Sequence, residues 1–107
     1  MKQQDELTDL IRLTARGDES AYKALYDKTS PRLFSVSLKL LKRRDWAEDV
    51  TQEAYVRVWY HAKEYHTERG QPLTWMISIL RNLAIDKLRS RSAQEVEGDE
   101  SPDELAF

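Results

Sequence analysis

Asp45-Trp46-Ala47-Glu48-Asp49-Val50-Thr51-Gln52-Glu53-Ala54-Tyr55-Val56-Arg57-Val58-Trp59 decides how this chain is read. As a helix, the stretch has two faces. Ala47, Val50, Ala54 and Val58 recur at three- and four-residue steps and form an apolar stripe for packing. Glu48, Asp49, Gln52 and Glu53 form an acidic, amide-bearing ridge on another side. Asp45 followed three residues later by Glu48 is close to a capping box and signals the helix start. Trp46 at the entry suits either a staple packed back on the helix or an exposed ring. Spacing alone describes a solvated amphipathic helix with one buried stripe.

The rest of the chain repeats that helical pattern, and no run of β-branched residues alternates with polar ones for long enough to predict a strand. Leu7, Leu10, Ile11 and Thr14 mark a first helix, stopped near Gly17. Asp18 caps a second that carries Ala21, Tyr22, Leu25 and Tyr26. Ser30-Pro31 then reads as a restart, with Ser as cap and Pro at the first helical position. A single helix kinked at Pro31 fits equally. Beyond it Leu33, Phe34, Val36, Leu40 and Leu41 face inward, and Lys39, Lys42, Arg43 and Arg44 outward. The Asp45 helix runs to about Ala62, and the polar segment from Lys63 to Gln71, with Gly70 inside it, is a loop. Pro72 opens a last helix ending near Arg91, with Leu73, Met76, Ile77, Leu80, Leu83, Ala84 and Leu88 as its apolar positions. The expected fold is all-α, a compact bundle of about four helices spanning residues 1–92. Residues 93–107 form an acidic tail, too poor in large apolar groups to fold.

Composition narrows the function. The 107 residues suit one domain, and no apolar run is long enough for a membrane span or a secretory signal, so a cytoplasmic protein is expected. Without cysteine there is neither a disulfide framework nor a thiolate metal site. The net charge of −2 conceals a split. Glu95, Glu97, Asp99, Glu100, Asp103 and Glu104 lie in the tail, leaving 17 basic against 13 acidic side chains in residues 1–94, a net of +4. The helical part is therefore mildly basic, as a nucleic-acid-binding domain requires.

A second stripe runs beside the core stripe of the last helix. Trp75, Ser78, Asn82, Asp86 and Arg89 lie three and four residues apart, flanked by Arg81, Lys87 and Arg91. Rings and guanidinium planes stack on bases, amides bond base edges and cations hold phosphates, so this set suits unpaired nucleic acid. Trp75 as a core residue and the cations as ordinary helix C-terminal partners fit the same spacing. His61, Glu64, His66 and Glu68 straddle a helix end and a loop, with no rigid histidine pair, and make a poor metal site. No nucleophile motif or phosphate-cradling glycine loop is present. An enzyme is not expected, nor is a cofactor.

Two blocks carry a resemblance. Asp49-Val50-Thr51-Gln52-Glu53-Ala54-Tyr55-Val56-Arg57-Val58-Trp59 resembles region two of bacterial sigma factors, the initiation subunits of RNA polymerase. Thr74-Trp75-Met76-Ile77-Ser78-Ile79-Leu80-Arg81-Asn82-Leu83-Ala84-Ile85-Asp86-Lys87-Leu88-Arg89 is similar to a signature of the extracytoplasmic-function (ECF) members. Gly17-Asp18-Glu19-Ser20-Ala21-Tyr22-Lys23-Ala24-Leu25-Tyr26 matches the usual start of that family. Together they cover residues 7–91 in the right order and spacing.

The resemblance implies that Asp49, Gln52, Glu53 and Arg57 dock on the coiled coil of the polymerase β′ subunit, with Tyr55 and Trp59 partly core. It implies that Tyr65, His66, Arg69, Gly70 and Gln71, with the last helix, read the non-template strand of the promoter minus-ten element. A base flipped into a pocket there would meet Asn82, with Trp75, Ser78, Arg81, Asp86 and Arg89 around it. Leu80 stands where the family often has alanine and Pro72 where many members have an aromatic residue, both beside that loop. The family's helix-turn-helix domain for the minus-thirty-five element has no counterpart. The tail resembles the start of the interdomain linker, so a chain truncated before that domain is implied. Anti-sigma proteins that cover these surfaces are expected partners. A helical adaptor with no DNA contact is the rival reading, but it has no use for exposed Asn82 and Arg89 beside an aromatic.

Overall fold

The computed structural model describes residues 2–98, with the side chains of residues 4–92. Four helices follow one another: α1 (Lys2–Ala15), α2 (Glu19–Leu41), α3 (Arg44–His61) and α4 (Pro72–Gly98). Two single 3-10 turns, Ala62–Glu64 and Thr67–Arg69, lie between α3 and α4. The bundle is all-α, and no strand occurs among the described residues.

The α1–α2 corner forms as its residues dictate. Gly17 takes a left-handed φ of 88°, which lets its N–H reach the Thr14 carbonyl at 2.9 Å and the Asp18 N–H reach Leu13 at 3.1 Å. Those two bonds close the end of α1 as a Schellman motif. Asp18 then starts α2, its carboxylate accepting from the Ala21 N–H at 3.0 Å and the Ser20 hydroxyl at 2.8 Å. These bonds hold its pKa below the ordinary carboxylate value, the Ala21 bond foremost.

Ser30-Pro31 does not restart a helix, because α2 runs unbroken through it. Pro31 and Asp27 both lie on the exposed side, so the carbonyl that Pro31 deprives of a helical partner is open to water. Two residues before Pro31, the Thr29 hydroxyl bonds back to the Leu25 carbonyl at 2.7 Å. At the far end Lys42 takes a left-handed φ of 63° and its N–H caps Leu38.

The helix starts where the Asp45–Glu48 pattern signals it, to within one residue, but the two side chains do not close a capping box. Helix α3 starts one residue earlier, at Arg44. Arg43 takes the Asp45 carboxylate in a two-pronged ion pair at 2.9 and 3.2 Å, and Glu48 pairs with Arg44 at 3.3 Å. The Asp45 Oδ1 also accepts from the neighbouring Trp46 N–H at 2.9 Å, so with Arg43 on both oxygens the carboxylate is held at the first turn by a charged fork and one backbone donor. The fork depresses the Asp45 pKa and raises that of Arg43.

Ala47, Val50, Ala54 and Val58 are buried, together with Leu7, Ile11, Leu25, Leu33, Leu41, Met76, Leu80 and Ala84. Phe34, Val36 and Leu40 are half-buried. The α2–α3 seam is partly polar. The Tyr55 and Thr29 hydroxyls meet at 2.5 Å, and the Tyr22 hydroxyl donates to the Tyr55 carbonyl at 2.6 Å. The Tyr22 ring meets Trp59 edge-on at 5.0 Å, and Tyr26 meets Tyr55 at 4.7 Å. Burial raises the Tyr22 and Tyr55 pKa values above that of a free phenol.

Two expectations for α4 change. Leu88, placed in the core stripe by spacing, is exposed. The stripe ends at Ala84, and residues 88–92 are all exposed. The helix also passes Arg91 and continues to Gly98, so the boundary expected after residue 92 falls inside it. Ala93, Gln94 and Glu95 are favourable helix residues, and propensity outweighs acidity there. The remainder of the tail, residues 99–107, lies outside the described residues.

Candidate nucleic-acid interface and acidic ridge

On α3 the buried stripe fixes the opposite face outward, so Asp49, Gln52, Glu53 and Arg57 are all exposed. Glu53 and Arg57 pair one turn apart at 3.3 Å. Asp49 pairs across the helix seam with Lys87 of α4 at 3.5 Å. Tyr55 is buried and Trp59 half-buried. The sequence reading missed two neighbours: Val56 and Tyr60 stand exposed beside the ridge, Tyr60 by 70%. Gln52, Val56 and Tyr60 are four residues apart, a spacing that the residues themselves offered as a signal.

The segment from Tyr65 to Gln71 is a built loop. The Tyr65 ring is only 7% exposed, and its hydroxyl donates to the Gly70 carbonyl at 2.7 Å, closing the segment on itself. Gly70 has φ 104° and ψ −175°, a conformation essentially confined to glycine. His66, Arg69, Gly70 and Gln71 are exposed. Helix α1 supports the loop from behind, the Gln4 side-chain oxygen accepting from the Leu73 N–H at 3.5 Å.

Trp75 is a core residue at 8% exposure, its ring 5.1 Å from that of Tyr65. The two rings are walls between α3, α4 and the loop rather than platforms open to solvent. Ser78 is turned back, donating to the Trp75 carbonyl at 2.7 Å. Arg81, Asn82, Asp86 and Arg89 remain exposed along α4.

The loop and Asn82 border different clefts. One, of about 250 Å³, opens between Gln4, Asp5 and Thr8 of α1 and Tyr65, Gly70 and Gln71 of the loop. The other, of about 220 Å³, lies between Arg57, His61 and Glu64 on one side and Trp75, Asn82 and Asp86 on the other. The Tyr65–Trp75 contact stands between them, one ring on each cleft. The contribution of α1 was not legible in the sequence, because nothing in residues 4–8 ties their polar side chains to a loop so distant along the chain.

His61 Nδ1 lies 3.1 Å from Glu64 and ties the end of α3 to the following turn. Among the described residues no three histidine or acidic side chains gather as a metal cluster. No helix among them is long and apolar enough to cross a membrane.

The sequence that builds these two faces has counterparts among known proteins. The family model for sigma-70 region 2 matches residues 25–94. An ECF RNA polymerase sigma factor, SigK of Mycobacterium ulcerans (strain Agy99), is 34% identical over 89 residues, covering 83% of this chain and 48% of the relative. SigK of Mycobacterium sp. (strain KMS) is 33% identical over 88 residues, covering 82% and 46%. SigK of Mycobacterium tuberculosis (strain CDC 1551 / Oshkosh) is 31% identical, covering 82% and 47%. The chain spans about half the length of these curated relatives. It belongs to the sigma-70 region 2 family, among the ECF sigma factors.

Proposed function

We propose that this chain is the promoter-opening domain of a transcription initiation factor. It joins RNA polymerase core through α3 and reads one strand of the minus-ten element through α4 and the loop before it. The observation that carries this reading is the contiguity of two faces. The exposed ridge of Asp49, Gln52, Glu53 and Arg57 and the exposed polar face of α4 are joined at one seam by the Asp49–Lys87 pair. A strand read on α4 would lie beside the docked polymerase.

The division of roles follows from exposure. The ridge offers carboxylates and an amide to the coiled coil of the β′ subunit. Asn82, with two donors and an acceptor, lies beside a cleft of nucleobase size and reads a flipped base edge. Arg81 and Arg89 hold the backbone. Tyr65 and Trp75 act from beneath by fixing the loop and the cleft wall. The loop's own cleft, bordered by exposed Gln71 and Gly70, is the second place where a base edge meets this domain. No catalytic group or cofactor enters the reading. The partners are core polymerase, the non-template strand and an anti-sigma protein covering the same faces, and the compartment is the cytoplasm.

The deciding experiment mixes the protein with core polymerase and a labelled minus-ten single strand. Capture that depends on both polymerase and oligonucleotide sequence is expected. A protein that binds core but shows no sequence preference would return the chain to the class of adaptors.

A further inference from the structure

Gln4, Asp5 and Thr8, on one turn of α1, form one wall of the loop's cleft, with Thr67, Gly70 and Gln71 lining the other. The loop wall belongs to the strand reading, and the α1 wall is a separate element that shares the same space. Asp5 is exposed there, and its carboxylate makes no hydrogen bond or ion pair among the described residues.

Most hydrogen-bond donors around the cleft are already engaged. The buried Thr8 hydroxyl donates to the Gln4 carbonyl at 3.0 Å, which leaves it lone pairs. The Gly70 N–H goes to the Thr67 carbonyl at 3.1 Å, and the Leu73 N–H to the Gln4 side-chain oxygen at 3.5 Å. The Tyr65 hydroxyl is committed to Gly70, and Pro72 has no N–H. The amide nitrogens of Gln4 and Gln71 and the Thr67 hydroxyl are the side-chain donors that remain. Asp5 faces them as a group that accepts and, when ionised, cannot donate.

A carboxylate repels the phosphates of a nucleotide, so the part it can admit is the base. It accepts from an exocyclic amine, as an aspartate does from cytosine N4. Adenine N6 and guanine N2 offer the same donor. Thymine has no amine, and its one ring N–H is flanked by two keto oxygens, so its edge brings oxygen against oxygen. We propose that Asp5 sets base identity in the loop's cleft, admitting amine-bearing bases and rejecting thymine. The inference rests on the strand reading and gives α1 a part in its specificity.

The test uses the protein bound to core polymerase and minus-ten single strands in which each position in turn carries all four bases. At one position the parent should bind thymine about tenfold more weakly than cytosine or adenine. Asp5→Asn keeps the shape and turns one oxygen into a donor. It should bring thymine to within about twofold of cytosine at that position and leave the others unchanged. Asp5→Ala should flatten the same position. Polymerase capture without DNA and the urea midpoint should match the parent's in both variants, because the side chain is exposed. Thymine discrimination that survives Asp5→Asn at every position would overturn the proposal. Uniform tightening of all strands would do so too, since Asp5 would then act only on phosphates. A lowered midpoint with selectivity lost at every position would make Asp5 a structural support instead. A parent with no base preference anywhere would refute the strand reading itself, whereas a preference untouched by both variants removes only the role of α1.

Discussion

Lys87 of α4 reaches the Asp49 carboxylate of α3 at 3.5 Å, and the pair is lopsided: the lysine side chain is 22% exposed, the aspartate 70%. The cation is held under protein while the acid stays open to a partner. In the free domain Lys87 therefore competes for a carboxylate that polymerase is proposed to use. Lys87→Met keeps the apolar stem and removes the competitor. Because a largely exposed pair is worth ~1 kcal/mol or less, capture of core polymerase should tighten by less than about fivefold. A tenfold loss in a binding titration would assign Lys87 itself to the polymerase.

The ridge should govern that capture. Asp49→Lys, Glu53→Lys and Gln52→Ala all fall on exposed positions, where substitutions usually change stability by no more than ~0.5 kcal/mol. Loss at the centre of an interface costs ~2 kcal/mol or more of binding. The triple variant should unfold at nearly the parent's temperature and lose at least about thirtyfold in affinity. Full capture by the triple variant would remove α3 from the interface.

The helices were legible because their signals are local and redundant. Gly17 and Asp18 form the corner their types demand, and the α3 stripe of Ala47, Val50, Ala54 and Val58 buries as its period requires. What stayed hidden depends on distant partners. The Asp45 carboxylate has two uses, and only the position of Arg43 decides between them. Leu88 has core spacing, but among the described residues its side of α4 is left exposed. Trp75 could serve as core or platform until Tyr65 was found against it. The participation of α1 in the loop's cleft rests on Gln4 meeting Leu73 across the chain, a pairing no single segment encodes.

The buried phenol of Tyr55 makes stability depend on alkaline pH. Burial raises its folded pKa well above the ordinary ~10. A raised pKa favours the protonated form in the folded state. Its contribution is therefore complete below pH ~10 and lost as pH climbs from there towards the folded value. Tyr55→Phe breaks the bond to Thr29, which keeps its bond to Leu25, so the cost should be ~1 kcal/mol at neutral pH. The gap between parent and variant in urea denaturation should narrow above pH ~10. A gap constant up to pH 11 would mean the phenol ionises freely.

Lys42 closes α2 in the left-handed region at φ 63°, which costs an ordinary residue ~1 kcal/mol or more. Glycine adopts it freely, at some expense in unfolded-chain entropy. Lys42→Gly should thus stabilise the domain by about 0.5 kcal/mol, raising the urea midpoint with the slope unchanged. A lowered midpoint would show that the Lys42 conformation carries no strain.

Strand reading should separate into base choice, backbone grip and loop shape. Asn82→Ala removes the amide beside its cleft without touching the core, so preference at one base position should relax by ~1–3 kcal/mol. Arg89→Ala should weaken all sequences alike and flatten the salt dependence by about 0.7, the single-strand value for one phosphate. Gly70→Ala has room for its methyl group, with nothing within 4 Å, yet φ 104° is strained for any side chain. The loop must then shift, and the Tyr65 hydroxyl loses its seat on the Gly70 carbonyl. Selectivity should fall in Gly70→Ala while polymerase capture holds, because α3 is untouched. Matched and mismatched minus-ten strands, measured with core polymerase present, distinguish the three. If Gly70→Ala kept full selectivity while Asn82→Ala lost it, reading would belong to the Asn82 cleft and the loop would serve only as a support.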